Sequence, residues 1–120
     1  MVHISDKAIF HVHTYRCGHA EMSTDESYVK QAIQLGATEI WFTDHVPFPG
    51  IVSSTRMRYD QLSEYISSLQ YLKNQYQGKI DIHIGMEIEY MPQFDAYYAE
   101  LREMLEILVL GQHGYYKKEI

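Results

Sequence analysis

The 120-residue sequence has little of several features that mark special classes of protein. Its single cysteine, Cys17, excludes an intrachain disulfide, which fits a reducing compartment such as the cytoplasm. Ten basic residues against sixteen acidic ones give a net charge of −6, so neither nucleic acid nor an anionic membrane is an expected partner. The chain also lacks an apolar run long enough to span a bilayer.

Apolar residues make up 46% of the chain, and their pattern alternates between strand and helix. The length predicts a single domain over residues 1–120. A capping box at Ser23 and Glu26, a cap at Asp60, and glycines at 36 and 78 bound the first two helices. Strands are predicted at 8–13, 38–43, 79–90 and 107–110, the last as a buried parallel strand, and helices from about 23 to 35, 60 to 76 and 93 to 104. This order predicts an α/β fold with a parallel sheet.

Potential metal ligands follow the predicted strands. In a regular strand His11 and His13 lie on one face, and His19 follows in a loop that Gly18 allows to fold back. The next strands end near His45, near Glu87 or Glu89, and near His113. Chemistry collects at the C-terminal ends of parallel strands, so we expect a metal site there. Taken alone, the His11–His13 pair is better explained by surface or core histidines, and a histidine at a strand end can simply be a loop residue.

Five segments, in this order, resemble the motifs of the PHP (polymerase and histidinol phosphatase) superfamily. They are residues 11–14 (His-Val-His-Thr), 17–20 (Cys-Gly-His-Ala), 43–47 (Thr-Asp-His-Val-Pro), 85–90 (Gly-Met-Glu-Ile-Glu-Tyr) and 111–113 (Gly-Gln-His). The second and third are most similar to histidinol-phosphate phosphatases. The resemblance implies a distorted TIM-like (β/α)7 barrel holding up to three zinc, manganese or iron ions. Family members continue with further strands, a further His and a late Asp-x-His pair, so this chain resembles the N-terminal half.

The resemblance also implies which residues bind metal. His11, His13 and Glu87 correspond to ligands of a first ion, with Glu87 bridging to a second. His113 corresponds to a ligand of that second ion, and His19 and His45 to ligands of a third. Imidazole and carboxylate suit these metals, and such ions lower the pKa of bound water and orient it for attack on phosphorus.

The implied function is a metal-dependent phosphoric monoester hydrolase, most similar to histidinol-phosphate phosphatase of histidine biosynthesis. One alternative is a phosphoesterase for another small phosphate ester or nucleotide. Another is a catalytically weak metal-binding fragment that needs a partner chain. Because four strands cannot close a barrel, we expect a homo-oligomer that covers the open edge. A small phosphorylated substrate and a cytoplasmic location complete the expectation.

Other residues near these motifs have two interpretations each. Arg16 is a candidate contact for a substrate phosphate or a solvated loop arginine. Asp44 and Glu89 are candidates to support metal-bound histidines, although Asp44 is equally explained as a turn residue. His83 shares the face of Glu87 but lies further from the C-terminal end of the strand, which favours a position in the core or barrel interior. Cys17 is expected to be a small buried thiol rather than a metal ligand.

Overall fold

Four parallel strands form the centre of the computed structural model, which describes residues 7–17, 24–51 and 56–110, without the side chains of His11 and Cys17. The strands lie side by side in chain order and curl into a half-barrel with helices between them. The strands are β1 (Ala8–Val12), β2 (Glu39–His45), β3 (Asp81–Ile88) and β4 (Ile107–Leu110), and the helices are α1 (Asp25–Gln34), α2 (Leu62–Gln75) and α3 (Asp95–Met104). Short 3-10 turns at Tyr15–Cys17, Tyr59–Gln61 and Pro92–Phe94 precede the helices. This architecture confirms the predicted α/β fold.

The helix ends differ from the prediction at two caps. Thr24, not Ser23, caps α1, because its side chain accepts a hydrogen bond from the Ser27 amide. Asp60 does not cap α2; it lies inside the preceding 3-10 turn, whose N-cap is Arg58. Gly36 follows α1 with φ of 83°, a left-handed conformation that favours glycine.

Alternation along β3 separates the two faces of the sheet. The even-numbered residues from Ile80 to Met86 are buried against the helices, as their apolar period predicts. The odd-numbered residues His83, Gly85 and Glu87 lie on the opposite, concave face. Most of the core therefore lies between the sheet and its helices, whereas His83 and Glu87 place polar side chains on the concave face.

β4 has the predicted bounds but is not the buried strand that its apolar sequence suggested. Its first three residues are half-buried, and Leu110 is 55% exposed. Among the described residues β4 pairs with β3 on one side only, which leaves its other edge open. None of the helices in the described ranges is long and apolar enough to cross a membrane.

Candidate metal centre

Three predicted ligands converge at the C-terminal end of the sheet. One potential ligand atom from each of His13, His45 and Glu87 lies within 4.8 Å of the others. His13 Nε2 is 3.2 Å from Glu87 Oε1, and the His13 and His45 rings meet edge to face with centroids 4.7 Å apart. The cluster is the only such group of three found among the described residues.

The β2–β3 register places two of these side chains next to each other. His45 is the register partner of Glu87, and the pairing runs without a shift from Glu39 onward. The Val46 amide donates to the Glu87 carbonyl at 2.9 Å, which extends the ladder past the end of β2. Residues at the same level of a parallel pair project to the same face, so the imidazole and the carboxylate are adjacent.

A β-bulge in β1 brings the third side chain to the same face. Ile9 pairs with Ile40 but Val12 pairs with Phe42, so three steps along β1 match two along β2. Val12 therefore shares the helix-facing side with Phe42, and His13 turns to the concave side. In an unbulged register His13 would lie level with Asp44, on the wrong face. The bulge interrupts the strict alternation on which the His11–His13 prediction rested.

Behind the concave face, a buried hydrogen-bonded pair joins the segments that carry His13 and His45. The Thr14 amide donates to Asp44 Oδ1 at 2.5 Å, and the Thr14 hydroxyl donates to Asp44 Oδ2. Both residues are fully buried, and Asp44 lies within β2 rather than in a turn. Burial raises the pKa of Asp44 to about 6, against the opposing effects of the Thr14 hydrogen bonds and the Arg16 charge.

Arg16 extends this buried network towards the helices. Its guanidinium binds Asp25 with two hydrogen bonds of 2.9 and 2.8 Å and Glu64 with two of 2.7 Å. Burial alone would lower the pKa of Arg16, but the two carboxylates outweigh that effect and raise it above its ordinary value. The interpretation as a solvated loop arginine is wrong, because the side chain is only 1% exposed. The phosphate contact stays a prediction.

The remaining predicted site residues fall outside this cluster or outside the described residues. His19, His113 and the side chains of His11 and Cys17 are not among the described parts of the chain. Glu89 pairs with Arg56 at 3.0 Å. His83 lies on the concave face as expected, but nearer the amino end of the strands, between Glu39 and Glu106.

Sequence reasoning missed two kinds of residue near the cluster. Thr14, Asp25 and Glu64 join the buried network through contacts across 9 to 48 positions of sequence, which no local pattern reveals. Arg56 donates to the Val46 carbonyl at 3.0 Å and lies over the Phe48 ring, although its loop carries no recognisable motif.

The donor set fits a divalent metal ion. Two imidazoles and one carboxylate are ligands that zinc, manganese and iron all accept. Glu87 is only 3% exposed, and a buried carboxylate is stabilised by a cation close to it. Three converging protein ligands also leave coordination positions for water or substrate.

A family model supplies the next observation: the PHP domain model matches residues 10–118, nearly the whole chain. The chain belongs to the PHP domain family. The matched segment includes all six residues predicted to bind metal, from His11 to His113.

Two curated proteins similar to this chain are a probable histidinol-phosphatase and a histidinol-phosphatase. The chain is 32% identical over 97 residues to a probable histidinol-phosphatase of Deinococcus radiodurans, covering 80% of this chain and 37% of that one. It is 31% identical over 91 residues to the histidinol-phosphatase of Bacillus subtilis, covering 71% and 34%. The chain thus spans little more than a third of the length of the relatives it matches.

Two solved structures share the fold. The putative histidinol phosphatase of Listeria monocytogenes superposes with a TM-score of 0.77 at 23% identity, over 88% of this chain and 44% of that one. The histidinol phosphate phosphatase of Lactococcus lactis, solved with zinc, L-histidinol and phosphate, gives 0.67 at 23% identity, over 90% and 41%. The described half-barrel therefore corresponds to less than half of each solved chain.

Proposed function

We propose that this PHP domain belongs to a metal-dependent phosphomonoesterase whose substrate is histidinol phosphate. The observation that carries the proposal is the convergence of His13, His45 and Glu87 at the C-terminal end of the sheet. A structural ion-pair cluster would not require two imidazoles to share one carboxylate. The histidinol-phosphatase relatives favour histidinol phosphate over other small phosphate esters or nucleotides.

In this proposal His13 and His45 bind a divalent ion through ring nitrogens, and Glu87 contributes a carboxylate oxygen. His11, His19 and His113 are proposed as further ligands, as the family resemblance implies. The chemistry that bound ions supply at such a site is a lowered pKa of water and neutralised charge on phosphoryl oxygens. His45 and Glu87 lie on neighbouring strands whose register runs without a shift, so these two proposed ligands are held side by side before substrate arrives.

The test is phosphate release from histidinol phosphate by the purified protein with added manganese or zinc. We expect release that stops with a chelator and is lost in the His45→Ala variant. His83→Ala is the matched control, since His83 lies on the same face of the sheet but outside the triad. Equal and chelator-resistant rates in the wild type and His45→Ala would contradict the proposal.

The same assay separates the alternatives. Faster release from another phosphate ester or a nucleotide would keep the phosphoesterase and replace the substrate. Metal binding without any hydrolysis would favour a metal-binding module that needs a partner chain, a result consistent with the share of its relatives that the chain spans.

Self-association is part of the proposal because of the open edge of β4. The exposed Leu110 and the side of this strand that no other strand of the described ranges pairs with favour a second protein surface against it. Light scattering at high concentration tests this, and a well-folded monomer would contradict it. A cytoplasmic location and the lack of a nucleic-acid or membrane partner stay predictions.

A further inference from the structure

The buried network of Thr14, Arg16 and Asp44 lies directly behind the proposed ligands His13 and His45. We propose that these three residues form a positioning unit that sets the separation of His13 and His45, and that Arg16 acts within it as a positioning residue. This inference rests on the proposed metal site and adds the residues that hold it in shape.

The first step is the contact between Thr14 and Asp44. Thr14 follows the proposed ligand His13 in the chain, and Asp44 precedes the proposed ligand His45. Because β1 ends at Val12, His13 lies just beyond the end of the strand. The two-point contact from the Thr14 amide and hydroxyl to the Asp44 carboxylate ties the segment that carries His13 to β2. It also holds the register that the bulge creates, in which Val12 pairs with Phe42; continued by two residues, that register brings Thr14 level with Asp44.

The second step concerns the direction of the Thr14 hydroxyl. Arg16 Nη1 donates to that oxygen at 3.1 Å, and the Arg16 amide donates to it at 3.3 Å. An arginine has no acceptor, so the hydroxyl proton must point away from Arg16. It therefore points to Asp44, and Arg16 enforces the contact that aligns the two strand ends.

The third step anchors Arg16 itself. Nε bonds Glu64, Nη1 bonds Thr14 and Asp25, and Nη2 bonds Asp25 and Glu64, which occupies all five N–H donors of the guanidinium. Asp25 begins α1 and Glu64 lies in the first turn of α2. The strand end is thus fixed to two helices through a single guanidinium group.

The affinity for a metal ion reports whether Thr14, Arg16 and Asp44 position the proposed ligands, and it can be measured without any enzymatic reaction. Partners that orient metal ligands are typically worth about 10–100-fold in affinity. The experiment is a titration of the intact, metal-free protein with Co²⁺, followed by the visible absorption of the bound ion. The test variants are Thr14→Val, which keeps the shape and removes the hydroxyl, and Thr14→Ser, which restores a hydroxyl.

Thr43→Val is the matched control. Thr43 is buried in the same strand as His45, and its hydroxyl has no hydrogen-bond partner within the described ranges. We expect Thr14→Val to weaken Co²⁺ binding about 10–100-fold and to change the absorption spectrum, with Thr14→Ser and Thr43→Val close to wild type. Circular dichroism of the metal-free variants shows whether each variant is folded. Weaker Co²⁺ binding by a folded variant is then attributed to displaced ligand side chains.

Arg16→Lys provides a second test if Thr14→Val does not fold. Lysine keeps the charge but has no planar fork, so we expect weaker Co²⁺ binding than in the wild type. Wild-type affinity in either folded variant would overturn the positioning role while leaving the metal site intact. A wild-type protein that binds no Co²⁺ would overturn the metal site, and the positioning role with it.

Discussion

Two histidine–carboxylate clusters lie on the concave face of β2 and β3, one at each end of the same strands. At the carboxyl end, His13 and His45 converge on Glu87. At the amino end, His83 lies between Glu39, at 3.3 Å from Nε2, and Glu106, at 2.7 Å from Nδ1. The strand pair and the residue types are shared, yet the two arrangements suit different roles.

In the amino-end cluster, His83 and Glu106 are paired with neighbouring side chains of opposite charge or hydrogen-bonding character. Both ring nitrogens of His83 face carboxylates, and its ring stacks on Trp41 with centroids 4.0 Å apart. Lys73 binds the second oxygen of Glu106 at 2.8 Å. An imidazole engaged in this way stabilises the sheet and has no free nitrogen for a metal ion.

The carboxyl-end cluster has the opposite composition. Two imidazoles share one carboxylate there, whereas at the amino end one imidazole faces two carboxylates. Three potential ligand atoms from three strand ends lie within 4.8 Å of one another, which brings them close enough to share one metal ion. A histidine beside an acid is therefore weak support for a metal site, whereas two histidines from different strands that share one buried carboxylate are much stronger.

The largest predicted effect separates the clusters by metal binding. We expect His45→Ala to weaken Co²⁺ binding more than about 100-fold, because even outer partners of ligands are worth about 10–100-fold. His83→Ala should leave the affinity unchanged, since His83 is paired elsewhere. Isothermal titration calorimetry measures both. A comparable loss in the two variants would mean that the distinction between the clusters is wrong.

A smaller effect is predicted at Gly85, which lies between His83 and Glu87 on β3. A Cβ atom there would lie 2.5 Å from Ile107 Cγ2 and 2.7 Å from the Ile107 carbonyl oxygen. Gly85→Ala should push β4 away and lower the free energy of unfolding by about 1–3 kcal/mol, the usual cost of overpacking. Urea unfolding measures this, with the exposed-site variant Ser67→Ala as control. An unchanged free energy would mean that β4 adjusts without cost.

The smallest predicted effect is the pH dependence of stability that Glu106 contributes in the amino-end cluster. Burial alone would raise the pKa of Glu106, but hydrogen bonds from Lys73, His83 and the Ile84 amide outweigh it and lower that pKa below its ordinary value of 4.5. The ionised side chain therefore stabilises the fold above the unfolded-state pKa, and this stability is lost as the pH falls through the lower folded-state pKa.

Glu106→Gln tests this dependence. The variant should be less stable than the wild type at neutral pH, by no more than about 1 kcal/mol because the pair with Lys73 is partly exposed. The difference should shrink as the pH falls below the ordinary value of 4.5. Urea unfolding of both proteins over this range measures it, and a difference that grows on acidification would contradict the assignment.

Much of the fold was predictable from local pattern. The period-two apolar residues of β3 and the apolar run Ile107–Leu110 identified these strands, the latter with its observed bounds. The convergence of His45 and Glu87 also followed from the rule that parallel strands end at one edge. Caps were less predictable, since Thr24 and Ser23 are both good capping residues and only backbone geometry distinguishes them.

The sequence by itself determined the order of strands and helices and the residue types at the strand ends, because both depend on neighbours a few positions apart. Tertiary structure alone decided that His13 faces Glu87, since its face depends on a one-residue shift between β1 and β2. It also decided the surroundings of Arg16, whose partners Asp25 and Glu64 lie 9 and 48 residues away. Contacts over such distances exist only when the sheet and helices pack, so no local pattern encodes them.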